Sequence, residues 1–317
     1  MTAETKWFST YPCHTFNAYS YYLKALYNEP AYRISIDAGF TCPHRSRDEN
    51  TTGCIYCGNQ GSRAPYLGNE DDIKRQIQGG IEFIKKRYNA RIYLLYFQAF
   101  SNTNAPPSQL KSIYDFALSC APFKELIIST RPDCIDKTKA ELLSSYRERG
   151  LRVWVELGLQ SACNATLKRI NRNHTLEDFL AAYSLLISHG IKVAVHLIFG
   201  LPGEGKEEVM RTVSLIAPLQ PDGIKIHNLH IVKSSPLFKE YLAGEIITPT
   251  SCEHRDYVIQ ALEYFPPETV IMRLTCDTPG EELASPLTFW NKSRFYREVR
   301  EEMIKQNTWQ GKKYTRK

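Results

Sequence analysis

The chain has 317 residues, of which 43% are hydrophobic and 23% charged, with a mean hydropathy of −0.37. This composition is typical of a soluble globular protein that buries a full core as one large domain, or as one domain with an extension. No apolar run approaches the roughly 20 residues that a membrane span needs, and residues 1–7 lack an apolar signal core. The nine cysteines show no disulfide-framework spacing, so we expect a cytoplasmic protein.

The net charge of +6 is concentrated at one end of the chain. Residues 292–317 carry nine Lys or Arg against three Glu, while the remaining 31 Lys or Arg and 31 Asp or Glu cancel. A basic tail of this kind can contact the phosphates of a nucleic acid. A solvated terminal helix has the same composition, so the sequence leaves both interpretations open.

Strand-like and helix-like segments alternate about every 30 to 35 residues, with helix ends at glycines such as Gly150 and Gly190. Strands are predicted at 33–37, 91–97, 125–130, 153–159, 192–199 and 222–232. Helices are predicted near 70–88, 108–119, 136–149, 175–189 and 204–217. Strands separated by single helices pair in parallel, so six units predict an α/β fold, a partial (β/α)6 TIM-like barrel. Periodicity alone also allows an eight-unit barrel or a doubly wound sheet.

We expect three regions along the chain. Residues 1–32 form an N-terminal extension, 33–235 the barrel core, and 236–317 a C-terminal extension with the basic tail. Within the last region, a helix at 251–264 and a strand at 269–276 are predicted. The six tyrosines of residues 1–32 fit either stacking on exposed bases or packing across the bottom or flank of the barrel, and packing is the commoner fate.

Polar or small residues stand at the carboxyl ends of successive predicted strands. They are Cys42, Gln98, Ser129, Thr130, Gln160 and Gly200. In parallel α/β folds, the functional site lies at this end of the strands. We therefore expect these residues to converge on one mouth of the barrel.

Three cysteines share the loop that follows the first predicted strand: Cys42, Cys54 and Cys57. Three thiolates can hold a four-iron cluster and leave one iron without a protein ligand, whereas clusters that only carry electrons normally have four cysteines. A small molecule could then bind the open iron. The same cysteines together with His44, or with Cys13 and His14, would also satisfy a tetrahedral zinc site. The cysteines alone leave both metals open.

The ending Cys54-Ile-Tyr-Cys57 resembles the cluster loop of radical S-adenosylmethionine (SAM) enzymes. Eleven residues separate Cys42 from Cys54, where that superfamily usually has three. The stretched loop resembles the branch that contains the Elongator catalytic subunit and the bacterial YhcC/YtqA-type proteins. Three further segments are similar to that branch: Ser35–Pro43, Tyr96–Thr103 and Val155–Ser161.

The resemblance covers about residues 10–280 and has a chemical implication. It implies that the three cysteines bind a [4Fe-4S] cluster whose open iron is chelated by SAM. In that superfamily, the reduced cluster cleaves SAM to a 5′-deoxyadenosyl radical, which abstracts hydrogen from a substrate carbon. A reducing partner such as flavodoxin or ferredoxin would supply the electron.

The resemblance also implies contacts to SAM. Glu156 and Gln160 match positions on the fourth strand that hydrogen-bond the ribose and the methionyl end, and strand alternation puts both on one face. Arg172 lies twelve residues after Gln160 and matches an arginine that contacts the SAM carboxylate, with Arg169 as the competing candidate. His196 stands where coproporphyrinogen-type enzymes have an aspartate that binds the adenosine.

Three weaker contacts complete the predicted cofactor set. Ser129 stands where the coproporphyrinogen type has a ribose-binding glutamate, and Tyr56 is placed to contact the adenine. Gln98 takes the position of the usual Gly-Gly-Glu segment and could accept a hydrogen bond from the SAM amino group. Ser101 and Asn102 are alternatives for that last role.

The substrate expected from the resemblance is a tRNA wobble uridine whose C5 side chain is already installed, because the acetyltransferase domain of the Elongator subunit has no counterpart here. A small metabolite or a protein side chain is the alternative substrate, and a zinc-stabilised RNA-binding module is the alternative from another class. Lys225 and His227 share one strand face and fit either substrate contact or partnership with Glu156. Cys276 fits either a hydrogen donor or a buried inert thiol.

Overall fold

Seven parallel strands form one curved sheet in the computed structural model, which describes residues 15–45 and 53–315. The first six strands lie side by side in chain order, and the seventh, β8, pairs with β6. The seven are β1 (Ala31–Ile36), β2 (Ile92–Phe97), β3 (Phe123–Thr130), β4 (Arg152–Gln160), β5 (Lys192–Phe199), β6 (Gly223–Asn228) and β8 (Val270–Arg273). A separate antiparallel pair consists of β7 (Ile231–Val232) and β9 (Leu283–Ser285).

Helices connect the strands, and most of them pack on the outer face of the sheet. They are α1 (Tyr19–Tyr27), α2 (Ile73–Tyr88), α3 (Pro107–Ser119), α4 (Lys137–Glu148), α5 (Asn164–Arg169), α6 (Leu176–Ser188), α7 (Lys206–Ile216), α8 (Leu237–Leu242), α9 (Ser251–Tyr264) and α10 (Lys292–Lys305). Local sequence defines their ends. Thr175 and Asp178 form a capping box at the start of α6, and Gly150 and Gly190 follow α4 and α6 with positive φ, as predicted.

The predicted α/β partial barrel is confirmed, with one addition. The strand predicted at 269–276 is β8, and it pairs with β6 as a parallel strand of the main sheet. A segment of the predicted C-terminal extension therefore completes the edge of the barrel sheet. Strand β4 lies in the middle of the strand order, and eight of its nine residues are buried, as expected for a parallel strand covered on both faces.

Three tyrosines of α1, namely Tyr19, Tyr22 and Tyr27, pack against the lower interior of the barrel, whereas Tyr32 stacks on Tyr88 of α2. Tyr22 meets Trp154 edge to face with ring centroids 6.1 Å apart, and Tyr27 donates a 2.8 Å hydrogen bond to Glu125. Both side chains belong with Leu94 to an apolar cluster inside the sheet. The packing interpretation is therefore confirmed for α1, whereas Tyr11 lies outside the described residues.

His254 on α9 makes the stability of the fold depend on pH. Its Nε2 donates a 2.8 Å hydrogen bond to the carbonyl of Leu274, and its ring lies among Phe199, Phe289 and Phe295. Burial lowers the pKa of His254 to about 4. Because an unfolded histidine titrates near pH 6.5, the unfolded chain takes up this proton first as the pH falls.

We therefore expect the free energy of unfolding to fall between pH 6.5 and pH 4, by about 3 kcal/mol from His254. Urea unfolding of the wild type and of His254→Gln at pH 7.5 and pH 4.5 measures this contribution. The variant keeps a donor for Leu274 and should lose part of the pH dependence. An equal pH dependence in both proteins would contradict the assignment.

None of the helices in the described part of the chain has the length and apolar character needed to cross a bilayer.

Candidate functional site

The segment that carries Cys54 and Cys57 is fixed by backbone hydrogen bonds to two neighbouring parts of the fold. The amide of Cys57 donates to the carbonyl of Cys54 at 3.0 Å and closes a tight turn. Within that turn, Ile55 donates to the carbonyl of Ile170 at 3.1 Å and accepts from the amide of Leu237 at 2.9 Å. The turn therefore bridges the end of α5 and the start of α8.

Of the three thiols of the loop, that of Cys54 has the largest number of basic side chains beside its sulfur. Arg172 Nη1 lies 3.4 Å from its sulfur, His44 Nε2 lies 3.4 Å away and Arg131 Nη1 lies 3.8 Å away. Burial alone raises the pKa of Cys54, but the charge of Arg172 and the hydrogen bond from His44 outweigh burial and lower it to about 6. The thiolate, which is the form that binds metals, is thus favoured at neutral pH.

The other two thiols of the predicted site have their own polar partners. Cys42 lies 3.4 Å from the hydroxyl of Ser101, and Cys57 accepts from Arg45 Nη1 at 3.5 Å. Burial raises the pKa of Cys57 to about 11, and the charge of Cys54 acts in the same direction. Like charges brought together in this way need a cation, and a bound metal would supply it.

The donor set fits the iron–sulfur cluster implied by the resemblance. All three cysteines are free thiols, and arginines lie beside two of the sulfurs. Within residues 15–45 and 53–315, no three His, Cys, Asp or Glu side chains gather closely enough to hold one metal ion. A cluster spreads three thiolates over three irons, so it needs no such close group. Of the zinc alternatives, Cys13 and His14 lie outside the described residues.

Arg172 connects the cysteine loop to the end of β4. In addition to Cys54, it donates from Nη2 to the carbonyl of Gly158 at 2.7 Å and from Nε to His174 at 3.0 Å. A Cβ on Gly158 would lie 2.6 Å from Arg172 Nη2 and 2.8 Å from Gln160 Nε2. A Cβ at Gly158 would therefore displace the ends of both side chains, and Gln160 itself has a φ of 78° where the β4–β5 register shifts.

Replacing Gly158 by alanine should displace Arg172. We expect the affinity for SAM to fall about tenfold or more, as is usual when a group supporting a metal site is disturbed. Anaerobic equilibrium dialysis with SAM measures this change, with iron content as a check on the cluster. Gly79→Ala is the matched control because no atom lies within 4 Å of its new Cβ. Equal SAM affinity in Gly158→Ala and the wild type would contradict this role.

Glu156 is the centre of a buried polar network inside the barrel. Its carboxylate accepts from Arg33 at 2.6 Å, from Tyr96 at 2.6 Å, from His196 at 2.8 Å and from Lys225 at 2.7 Å. Despite full burial, these neighbours hold the pKa of Glu156 well below its usual value. The partnership of Lys225 with Glu156 considered in the sequence analysis is thus present. Direct contact of Glu156 with a cofactor would require one of these partners to leave.

The remaining predicted cofactor residues lie at or near the same mouth. Gln98 directly follows β2 and its carbonyl accepts from Ser62 at 2.9 Å. Ser129 is the Cα partner of Glu156 across β3 and β4. Tyr56 lies between Cys54 and Cys57, and burial raises the pKa of its hydroxyl. These positions are compatible with cofactor contacts, which stay predictions.

Burial lowers the pKa of His196 to about 4, so this predicted adenosine contact is neutral at pH 7. In the structure it belongs with the Glu156 network, whereas Gln160 and Arg172 belong with the cysteine loop. The predicted cofactor residues thus divide between two adjoining groups. Arg169, the competing candidate for Arg172, pairs instead with Glu240 on α8.

Cys276 contacts protein groups at the end of β6. Its sulfur lies 3.3 Å from the carbonyl oxygen of Asn228 and 3.5 Å from the side-chain oxygen of the same residue. Burial raises the pKa of Cys276 to about 12, so it remains a protonated thiol at neutral pH. These contacts favour the interpretation of an inert thiol over that of a hydrogen donor.

Sequence reasoning missed Arg131, which immediately follows β3. Its guanidinium donates to the carbonyl of Arg172 at 2.5 Å and pairs with Asp133 at 2.8 Å, and it lies 3.3 Å from His44. The rule that placed Gln98 and Gln160 at the mouth also applies to the residue after Thr130. Arg131 could therefore have been found from its position alone.

Comparisons with known proteins identify the family of the chain. The sequence profile described as "Radical SAM superfamily" matches residues 41–216, and the one described as "Radical_SAM C-terminal domain" matches residues 221–305. The chain is 33% identical to the Bacillus subtilis protein YtqA over 304 residues, covering 96% of this chain and 93% of YtqA. It is 35% identical to Escherichia coli YhcC over 272 residues, covering 85% of each.

A sequence match and a solved structure, both from the archaeon Methanocaldococcus infernus, show a more distant similarity. A tRNA uridine(34) acetyltransferase is 30% identical over 159 residues, which cover 49% of this chain and 29% of that protein. The solved structure of the Elp3 protein with an N-terminal deletion superposes with a TM-score of 0.70 at 20% identity. That superposition covers 88% of this chain and 64% of the Elp3 chain, and it shows a shared fold.

The profile match covers more than half of the chain, and the two bacterial relatives match most of their own length. The chain therefore belongs to the radical SAM superfamily of enzymes, in the branch of YhcC- and YtqA-type proteins that is related to the Elongator catalytic subunit.

Proposed function

We propose that the protein binds a [4Fe-4S] cluster through Cys42, Cys54 and Cys57 and cleaves SAM to start hydrogen abstraction on a tRNA wobble uridine. When bound, the cluster and SAM would supply the one-electron chemistry of this step. The observation that carries the proposal is the position of Arg172, which joins the Cys54 sulfur to the carbonyl of Gly158 at the strand ends.

The side chains of the mouth have distinct proposed roles toward SAM. Arg172 stabilises the Cys54 thiolate and holds the SAM carboxylate, since a guanidinium has enough donors for both. Gln160 reaches the methionyl end from the same strand edge. Gln98 receives the amino group. Gln160 ends β4 and Gln98 directly follows β2, whereas Arg172 follows α5 and is held at the strand end by its hydrogen bond to the carbonyl of Gly158.

The other predicted residues would surround the nucleoside part of SAM. Ser129 and His196 face the ribose, and Tyr56 faces the adenine. His196 is held by its 2.8 Å hydrogen bond to Glu156, which fixes the orientation of the ring. We therefore assign Glu156 to positioning His196, so that its effect on SAM is transmitted through the imidazole.

The tRNA part of the proposal is supported by the similarity to the archaeal tRNA uridine(34) acetyltransferase. The basic tail adds little support, because its helix pairs internally: Arg294 meets Glu298 at 3.5 Å, and Lys305 meets Glu302 at 3.6 Å. Lys313 also pairs with Glu263 at 2.5 Å. These pairs favour the solvated-helix interpretation for the described part of the tail, and Arg316 and Lys317 lie outside that part.

Two experiments test the proposal at separate levels. Anaerobically reconstituted protein with dithionite and SAM should release 5′-deoxyadenosine, detected by chromatography and mass spectrometry. A zinc-stabilised RNA-binding module would release none. Deletion of the gene should change one wobble-uridine derivative in total tRNA, whereas an unchanged nucleoside profile would favour a small metabolite or a protein side chain as substrate.

A further inference from the structure

A row of side chains crosses the barrel interior from the cysteine loop to the last strand. Gly158 on β4 is the Cα partner of His196 on β5, which is the partner of Lys225 on β6, which is the partner of Arg273 on β8. Parallel strands lie about 4.8 Å apart, so Gly158 and Arg273 are separated by at most roughly 14 Å. The row therefore begins at Gly158, whose carbonyl accepts a hydrogen bond from Arg172, and ends at Arg273 on the edge strand β8.

The Lys225 and Arg273 pair places two cations directly opposite each other on neighbouring strands. Like charges in this arrangement repel, and inside a protein they need a compensating anion. The shift of pairing register before Lys225 brings Arg273 to this position. Burial, together with the positive charge of Arg273, lowers the pKa of Lys225 to about 7 despite the neighbouring Glu156.

Of the buried carboxylates inside the barrel, Glu125 lies at the bottom with Tyr27, and Glu156, which lies beside Lys225, is already fully engaged. Glu156 accepts from both Arg33 and Lys225, so one negative charge faces two cations. In the described part of the chain, Arg273 forms no ion pair or side-chain hydrogen bond. At the rim, Asp277 is exposed, and burial together with the charge of Arg273 lowers the pKa of Lys292. The part of the interior around Lys225 and Arg273 therefore has a positive excess that the protein itself does not balance.

His227 supplies a neutral hydrogen-bonding group at the same place. It lies two residues after Lys225 on β6 and so faces the same side of the sheet, with its ring centroid 5.7 Å from that of His196. Its Nε2 is buried and has no hydrogen-bond partner among the residues that the structure describes. Burial, followed by the charge of Arg273, keeps the pKa of His227 well below its ordinary value.

We propose that Arg273 and His227 form an oxyanion subsite, beside Lys225, that holds a carboxylate or phosphate group of the substrate. The guanidinium offers a fork of donors suited to either group, and the imidazole offers one N–H. The inference rests on the proposed function, because the anion belongs to the molecule that reacts near the cysteine loop. A substrate anchored at β8 would present its reacting carbon toward Gly158 and Cys54.

The subsite is tested by anion binding to the reconstituted full-length protein without SAM. Its thermal unfolding midpoint is followed against sodium acetate and against inorganic phosphate, with chloride keeping the ionic strength constant. Saturable stabilisation is expected in the wild type, because a ligand that binds only the folded state raises its stability. A response to acetate alone would assign a carboxylate, and one to phosphate alone would assign a phosphate.

The variants Arg273→Gln and Arg273→Lys distinguish the contribution of the planar guanidinium donors from that of the positive charge. We expect Arg273→Gln to weaken anion binding about tenfold or more and Arg273→Lys to weaken it less. The control is Arg255→Gln, which should keep wild-type binding because Arg255 pairs with Asp256 on the outer helix α9. Equal binding in the wild type and Arg273→Gln, or no saturable binding in the wild type, would overturn the subsite. Failure of the proposed function would appear separately, as absence of 5′-deoxyadenosine from the wild type.

Discussion

Cys54→Ser is expected to abolish SAM cleavage and to lower the iron content by about tenfold or more. Cys54 is the thiol whose thiolate form the protein stabilises most strongly, through Arg172, His44 and Arg131. Serine has nearly the same size, so its loss of metal binding cannot be attributed to a cavity. Chemical assays of iron and labile sulfide, together with chromatography of 5′-deoxyadenosine, measure the two effects.

Cys252→Ser is the matched control for this experiment. Cys252 is an exposed free thiol on α9, outside the cysteine loop, and its replacement should leave iron, sulfide and SAM cleavage at wild-type levels. If Cys54→Ser keeps a full complement of iron, Cys54 is not a cluster ligand. If Cys252→Ser also loses iron, the assay reports general instability of the protein.

Glu156→Gln is expected to lower the free energy of unfolding by about 3–5 kcal/mol. Glutamine keeps the shape of the side chain and removes the negative charge that faces Arg33 and Lys225. Arg33 would then remain buried without a counter-charge, and Lys225, whose pKa is already lowered to about 7, would lose the anion that favours its charged form. Together these changes cost more than the loss of the hydrogen bonds. Urea unfolding at pH 7.5, followed by far-UV circular dichroism, measures the change.

The control for the charge effect is Glu301→Gln on the surface of α10. Glu301 is 3.9 Å from Arg297, and both side chains are largely exposed, so the expected change is below about 1 kcal/mol. A Glu156→Gln protein as stable as Glu301→Gln would show that the buried network contributes little. Such a result would also remove the charge argument for the anion subsite, because it would imply that Lys225 is already neutral.

The sequence predicted the strands and helices with strong periodicity. The strand at 192–199 and the helix at 251–264 have the same bounds in the structure. Local pattern is sufficient there because a buried parallel strand is a continuous apolar run and a helix has marked caps. The position of β8 in the sheet was not predictable, because it depends on pairing with β6 across more than 40 residues of chain.

Part of the candidate site was predictable from the rule that functional residues of parallel α/β folds lie at the carboxyl ends of the strands. That rule found the cysteine loop, Gln98 and Gln160, and it would also have found Arg131. Strand-face alternation offered Lys225 as a partner of Glu156, but it could not reveal Arg33, Tyr96 and His196, which come from three other strands 40 to 123 residues away in the chain. Such a network is set by the curvature of the sheet, and no local pattern encodes it.

Counting charges along the sequence located the net positive charge in the tail, but it did not show how these charges are paired. The tail accounts for the whole net charge, yet much of its described part is paired on the protein surface. In the proposed subsite, Lys225 and Arg273 lie opposite each other inside the barrel, and the carboxylate of Glu156 beside Lys225 is shared with Arg33. Only the strand register brings these two residues together.

The central claim is that three thiolates hold a cluster with one open iron. Electron paramagnetic resonance of the dithionite-reduced, anaerobically reconstituted protein tests it most directly, with iron and sulfide measured on the same sample. We predict about four irons and about four sulfides per chain, and a cluster signal that changes when SAM is added. Stoichiometric zinc without labile sulfide, or a cluster signal that SAM leaves unchanged, would contradict the claim.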